Sequence, residues 1–109
     1  MATHHAKPNE IVDLATWADD MPVEKSKVII RTSELELARL VMSAGQEFRE
    51  HKVAGPITVH CVKGEIDFSA MGSTQTLAAG QLLYLEPGQP HALTAKVDSV
   101  ILLTIVFVD

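Results

Sequence analysis

A chain of 109 residues can bury one hydrophobic core but not two, so a single domain spanning 1–109 is expected. Its hydrophobic fraction of 47% is that of an ordinary globular protein. A net charge of −5 without a cluster of lysine or arginine speaks against nucleic acid as a partner. The one cysteine, Cys61, has no intramolecular disulfide partner, which fits a reducing compartment.

The opening "MATHHAKPNE" is polar and lacks the apolar stretch of a signal peptide, so a cytoplasmic location is expected. His4 and His5, ahead of Pro8, read as a solvated end within an N-terminal arm and edge region over 1–25. "SKVIIRT" reads as a strand. "SELELARLVMSAG" supports two readings. Ser33 and Glu36 resemble a capping box and Gly45 follows as a helix stop, yet Leu35, Leu37, Arg39 and Val41 alternate with Glu34, Glu36, Ala38 and Leu40 as a strand would.

From residue 54 onward, turn signals recur at short intervals: "AGP", "KGE", "MGST", "AAGQ" and "EPGQP". They separate the strand-like runs "ITVHCV", "EIDFSA", "TQTLAA", "LLYL", "HALTAK" and "SVILLTIVFV". The last run has about half of the ~20 residues a membrane-spanning helix needs, and its β-branched content predicts a buried strand. Cys61 lies inside "ITVHCV" and is expected to be a small buried apolar residue. Short strands spaced by Gly and Pro predict an antiparallel all-β sandwich or barrel.

Two histidines stand at regular distances from glycines. His51 follows Gly45 by six positions, and Gly64 closes the next strand; His91 follows Gly80 by eleven positions and Gly88 by three. This spacing resembles the two motifs of the cupin superfamily, G-x5-H-x-H-x3,4-E-x6-G and G-x5-P-x-G-x2-H-x3-N, with a motif-bearing core over 45–95. The resemblance implies an RmlC-like jelly roll, a double-stranded β-helix. It also implies that "ELELARLVMSAG" is a strand, since tertiary context overrides so weak a propensity.

In that family, two histidines and a glutamate of the first motif and the histidine of the second bind one metal ion inside the barrel. Carried over position by position, these are His51, Val53, Ile57 and His91 here. Glu86 and Ala95 stand where the second motif has proline and asparagine. A divalent ion (Zn, Ni, Fe or Mn) would therefore have His51 and His91 as ligands, with Val53 and Ile57 as an apolar pocket wall. Two imidazoles alone hold an ion weakly, because protein sites usually supply three or four donors.

His60 is the candidate third ligand. Since the family's glutamate position falls on Ile57, the resemblance implies that Ile57, Val59 and Cys61 face the barrel interior, and alternation then turns His60 outward unless a bulge near Gly55-Pro56 reverses the parity. Glu47 and Arg49, which share the parity of His51, are candidates for the pocket mouth. Trp17 and Tyr84 are expected in core or subunit contacts.

Two functions stay open at this point. One is a metal-dependent enzyme or sensor, isomerase- or dioxygenase-like, acting on a small molecule in the barrel. The other is a non-catalytic module using the histidines as hydrogen-bond partners. A homodimer through the N-terminal half is expected, because "SKVIIRTSELELARLVM" carries more apolar strand surface than one barrel face buries.

Overall fold

The computed structural model describes residues 7–11 and 26–108. Nine strands run in chain order: β1 (Lys27–Arg31), β2 (Leu35–Met42), β3 (Glu47–His51), β4 (Ile57–Lys63), β5 (Glu65–Ala70), β6 (Ser73–Ala78), β7 (Leu82–Leu85), β8 (His91–Ala95) and β9 (Ser99–Val106). They form two antiparallel sheets, ordered β1-β2-β9-β4-β7 and β3-β8-β5-β6. This is the all-β jelly roll that the cupin resemblance implies. Trp17, His4 and His5 lie outside the described residues.

The strand reading of residues 35–42 holds. β2 pairs with β9 along its whole length, from Leu35 opposite Val106 to Met42 opposite Ser99. Its helical composition is overruled because both of its faces are covered. Met42 and Leu40 join the interior core, while Arg39 and Val41, 1% and 6% exposed, sit on the other face. A strand buried on both sides loses the clean alternation that marks a half-exposed one.

β4 keeps that alternation. Ile57, Val59 and Cys61 are buried and join the interior core, whereas Thr58, His60 and Val62 fall on the opposite face. Opposite them, the four-stranded sheet contributes Ile66, Phe68, Leu77 and Leu93. Each such side chain contributes roughly 1.5–3 kcal/mol by leaving water. A smaller cluster of Ile29 and Val100, with Ile30, Val62 and Leu102 against it, lies apart from this core.

β3, "EFREH", has one apolar residue and was not legible as a strand from propensity. It is an edge strand, held by pairing with β8.

Gly64 and Gly72 stand at two of the corners where φ is positive. At Gly64 (φ +91°) the chain passes from one sheet to the other, and a Cβ there would strike the Ser99 hydroxyl and stand 2.5 Å from the Asp98 carbonyl oxygen. That hydroxyl accepts from the Glu65 amide (3.1 Å) and donates to the Val97 carbonyl (2.8 Å), so the corner is tied on both sides.

The β5–β6 hairpin turns on Met71 and Gly72 alone, with φ of +53° and +81°. Two positive values in a two-residue loop match a type I′ turn, which favours asparagine or glycine at its first position. Met71 is 73% exposed and gains little packing in return. Met71→Asn is therefore expected to raise stability by about 0.5–1 kcal/mol, measured as a higher urea midpoint at unchanged slope.

Candidate functional site

His91 opens β8, directly behind the turn "EPGQP". That turn is anchored where the Gly88 amide (φ +78°) donates to the Val53 carbonyl at 2.9 Å, joining it to the β3–β4 connection. In register, His91 stands opposite Ala70 of β5 on one side and His51 of β3 on the other.

The imidazole is 2% exposed and held in two ways. Nδ1 lies 3.0 Å from the Gln89 carbonyl oxygen. A carbonyl only accepts, so Nδ1 carries the hydrogen of this bond. The ring also stacks on Phe68, with centroids 5.7 Å apart and planes 15° from parallel. Hydrogen bond and stack together fix the ring plane.

His91 borders a cavity of about 190 Å³ between the sheets. Leu40 (β2), Val59 (β4), Ile101 and Leu103 (β9) form one wall; Phe48 (β3), His91 and Leu93 (β8) form the other. His91 is the one polar side chain among these lining residues. A larger groove of about 460 Å³ lies on the outside, where Met71, Gln89 and Pro90 meet Glu50, Ser69 and Thr74. It is open to solvent, and the Ser69 and Thr74 hydroxyls already bond each other at 2.8 Å.

The structure distributes the predicted site residues unevenly. His51 comes opposite His91 because the β3–β8 register shifts between Phe48 and His51. Uninterrupted pairing from Phe48 opposite Leu93 would have set residue 50, not 51, against His91. The shift also corrects the reading of Glu47 and Arg49. Phe48 faces the cavity and Glu47 pairs with Thr94 on the other face; both Glu47 and Arg49 are exposed. Parity counted back from His51 fails because an irregular strand resets it.

Val53 and Ile57, expected as the pocket wall, do not line this cavity. Ile57 is packed in the core at 3% exposure, and Val53 packs against that core half-buried. His60 alternates with the buried side chains of β4 and stands in register with Leu82 and Leu102. The β4 residue that does reach the cavity is Val59. Tyr84, on edge strand β7, is 60% exposed. The lining positions Leu40, Phe48, Leu93, Ile101 and Leu103 were missed; their signal is apolar parity on each strand, which does not separate cavity from core.

A four-donor metal centre of the family's kind does not fit the residues present. Two of its positions are the aliphatic Val53 and Ile57, and the described cavity lining offers one nitrogen ligand among hydrocarbon. Among the described residues, no group of three or more His, Cys, Asp or Glu is gathered to hold an ion.

Cys61 is buried next to the Gly64 corner, its Sγ 3.5 Å from the carbonyl oxygens of Lys63 and Gly64. Burial, reinforced by the nearby Glu65 carboxylate, pushes its pKa above the ordinary thiol value. Native protein at pH 8 is therefore expected to resist a thiol-specific reagent that reacts at once after unfolding. Because the unfolded thiol ionises first, this group's contribution to stability is intact below the ordinary thiol pKa and declines as pH rises above it.

The chain's residues 38–107 match the cupin domain family model. The chain belongs to the cupin family. Solved structures agree at the level of the fold. A cupin superfamily protein from Desulfitobacterium hafniense superposes with a TM-score of 0.80 at 11% identity, covering 97% of each chain. A conserved protein of unknown function from Streptococcus pyogenes gives 0.78 at 24% identity, over 97% of this chain and 94% of that one. An RmlC-like cupin from Desulfovibrio desulfuricans gives 0.69 at 21% identity, over 97% and 96%. No curated protein matches. Among the described residues, no helix of this cupin is long and apolar enough to cross a membrane.

Proposed function

We propose that this cupin is a binding module that holds a small organic molecule between its sheets, with His91 as the polar anchor. The observation that carries this reading is the cavity lining: six hydrocarbon side chains and one immobilised imidazole. Such a wall rewards desolvation of an apolar ligand and uses a single polar group to orient it. Because the family's donor positions Val53 and Ile57 are aliphatic, the module works without the four-donor metal centre.

One observation favours a second reading, in which a divalent ion is shared by two imidazoles: His51 and His91 are direct cross-strand partners. Metal analysis of untagged protein separates the two. The binding-module reading expects far less than one ion per chain after a mild chelator. A stoichiometric ion that survives the chelator and is lost in both His51→Ala and His91→Ala would overturn it.

The proposal extends to a cytoplasmic homodimer. Apart from the N-terminal half expected to carry the interface, Leu82 and Tyr84 are exposed on β7 beside His60 and Thr58, and a second copy covering them would remove apolar surface from water. Sedimentation equilibrium is expected to give twice the chain mass at micromolar concentration; a monomer would contradict this.

A further inference from the structure

Resting on the small-molecule reading, we infer that the ligand is an uncharged, mostly hydrocarbon compound of up to about eight non-hydrogen atoms, and that carboxylates, phosphate esters and amines of similar size are turned away. Two observations lead there, one of charge and one of volume.

The cavity between the sheets has no lysine, arginine, aspartate or glutamate among its lining residues. The strands that form it are not short of charge: β2, β3 and β4 carry Glu36, Arg39, Glu47, Arg49, Glu50 and Lys63. All six lie outside the lining. Arg39 is on the face of β2 opposite Leu40, and Glu36 is engaged by Arg31 at 3.4 Å. Glu47, Arg49, Glu50 and Lys63 are exposed. β8 and β9, which supply the remaining wall, contain no charged residue.

A lone charge entering this space would leave water with no opposite charge to meet it. Burying one small ring does not offset that cost. For an acid to find a partner here, the His91 imidazole would have to take up a proton while only 2% exposed. Polar groups in number fare no better, since hydrocarbon walls leave them unsatisfied.

The volume of about 190 Å³ sets the size. A dry protein cavity of roughly 150 Å³ walled by leucine, isoleucine and phenylalanine takes up benzene, so in proportion this one admits a ring with one or two further atoms. The walls do not give readily. Val59 and Ile101, 1% and 0% exposed, belong to the interior core, where packing is as dense as in an organic crystal. A second full ring does not fit.

The test uses full-length protein at neutral pH and titration calorimetry with phenol, benzoate, benzylammonium and 4-phenylphenol. Phenol is expected to bind, and the two ions to bind at least about a hundred-fold more weakly, because a buried charge without a partner is costly. The two-ring probe is expected not to bind. Val59→Phe and Val59→Ile fill the cavity by different amounts, the second by one methylene, and whichever of them folds is expected to weaken phenol binding.

Benzoate or benzylammonium binding as tightly as phenol, and weakened with it by cavity filling, would overturn the exclusion of charge and leave the small-molecule reading standing. Equal binding of 4-phenylphenol, likewise weakened by filling, would overturn the size limit alone. Failure of every probe to bind, or binding indifferent to cavity filling, would defeat both the inference and the reading beneath it.

Discussion

Gly55→Ala is expected to destabilise the protein by about 3 kcal/mol or more. A Cβ at Gly55 would lie on top of the Val106 carbonyl oxygen, and backbone cannot rotate aside as a side chain can. Relief requires separating the β3–β4 connection from the end of β9. That breaks the Val106 amide to Pro56 carbonyl bond (3.0 Å) and strains the adjoining pair of Ile57 with Ile105.

Gly45→Ala is the matched comparison. Gly45 has a positive φ of +85° but open space where its Cβ would go, so that variant is expected to cost only the left-handed penalty of roughly 1 kcal/mol. Urea unfolding of both variants checks the difference. Equal, small losses would show that β9 does not seat against Gly55 as described.

Phe68→Ala is expected to cost about 3–5 kcal/mol, because the ring is 1% exposed at the centre of the interior core. Its second effect is on function. Phe68 is the platform on which His91 stacks, and without it the imidazole keeps the Gln89 hydrogen bond but loses the contact that sets its plane. Phe68→Leu retains more of the buried volume and separates the two roles. It is expected to lose less stability while still weakening phenol binding, whereas a purely structural Phe68 would leave the affinity of the folded variant unchanged. Calorimetry on the folded fraction reads the distinction.

Much of the fold was legible because its signals are local. The glycines at 45, 64, 80 and 88 occupy positive-φ positions that the turns demand, and their spacing carried the family resemblance that implied the jelly roll. Ile57, Val59 and Cys61 alternate cleanly because one face of β4 meets the interior core. β2 was legible only through the family resemblance, since burial on both faces erases its period. β3 was not, because an edge strand of "EFREH" owes its existence to β8.

His91 opens β8 directly behind its turn and borders a cavity. That cavity is lined by Val59 and its neighbours across the sheets rather than by Val53 and Ile57, because parity says which way a side chain points and not where space remains between two packed sheets. The register shift after Phe48 has no sequence mark at all, yet it decides which β3 residue stands against His91.

The central claim, a small molecule held between the sheets against His91, is tested most directly by a methyl-labelled NMR titration of the native protein with phenol. The account predicts saturable shifts in the methyl signals of Leu40, Val59, Leu93, Ile101 and Leu103, which line the cavity, while those of Ile29, Val41 and Val100 stay in place. Shifts confined to the latter group, or no saturable shift in the former, would contradict it.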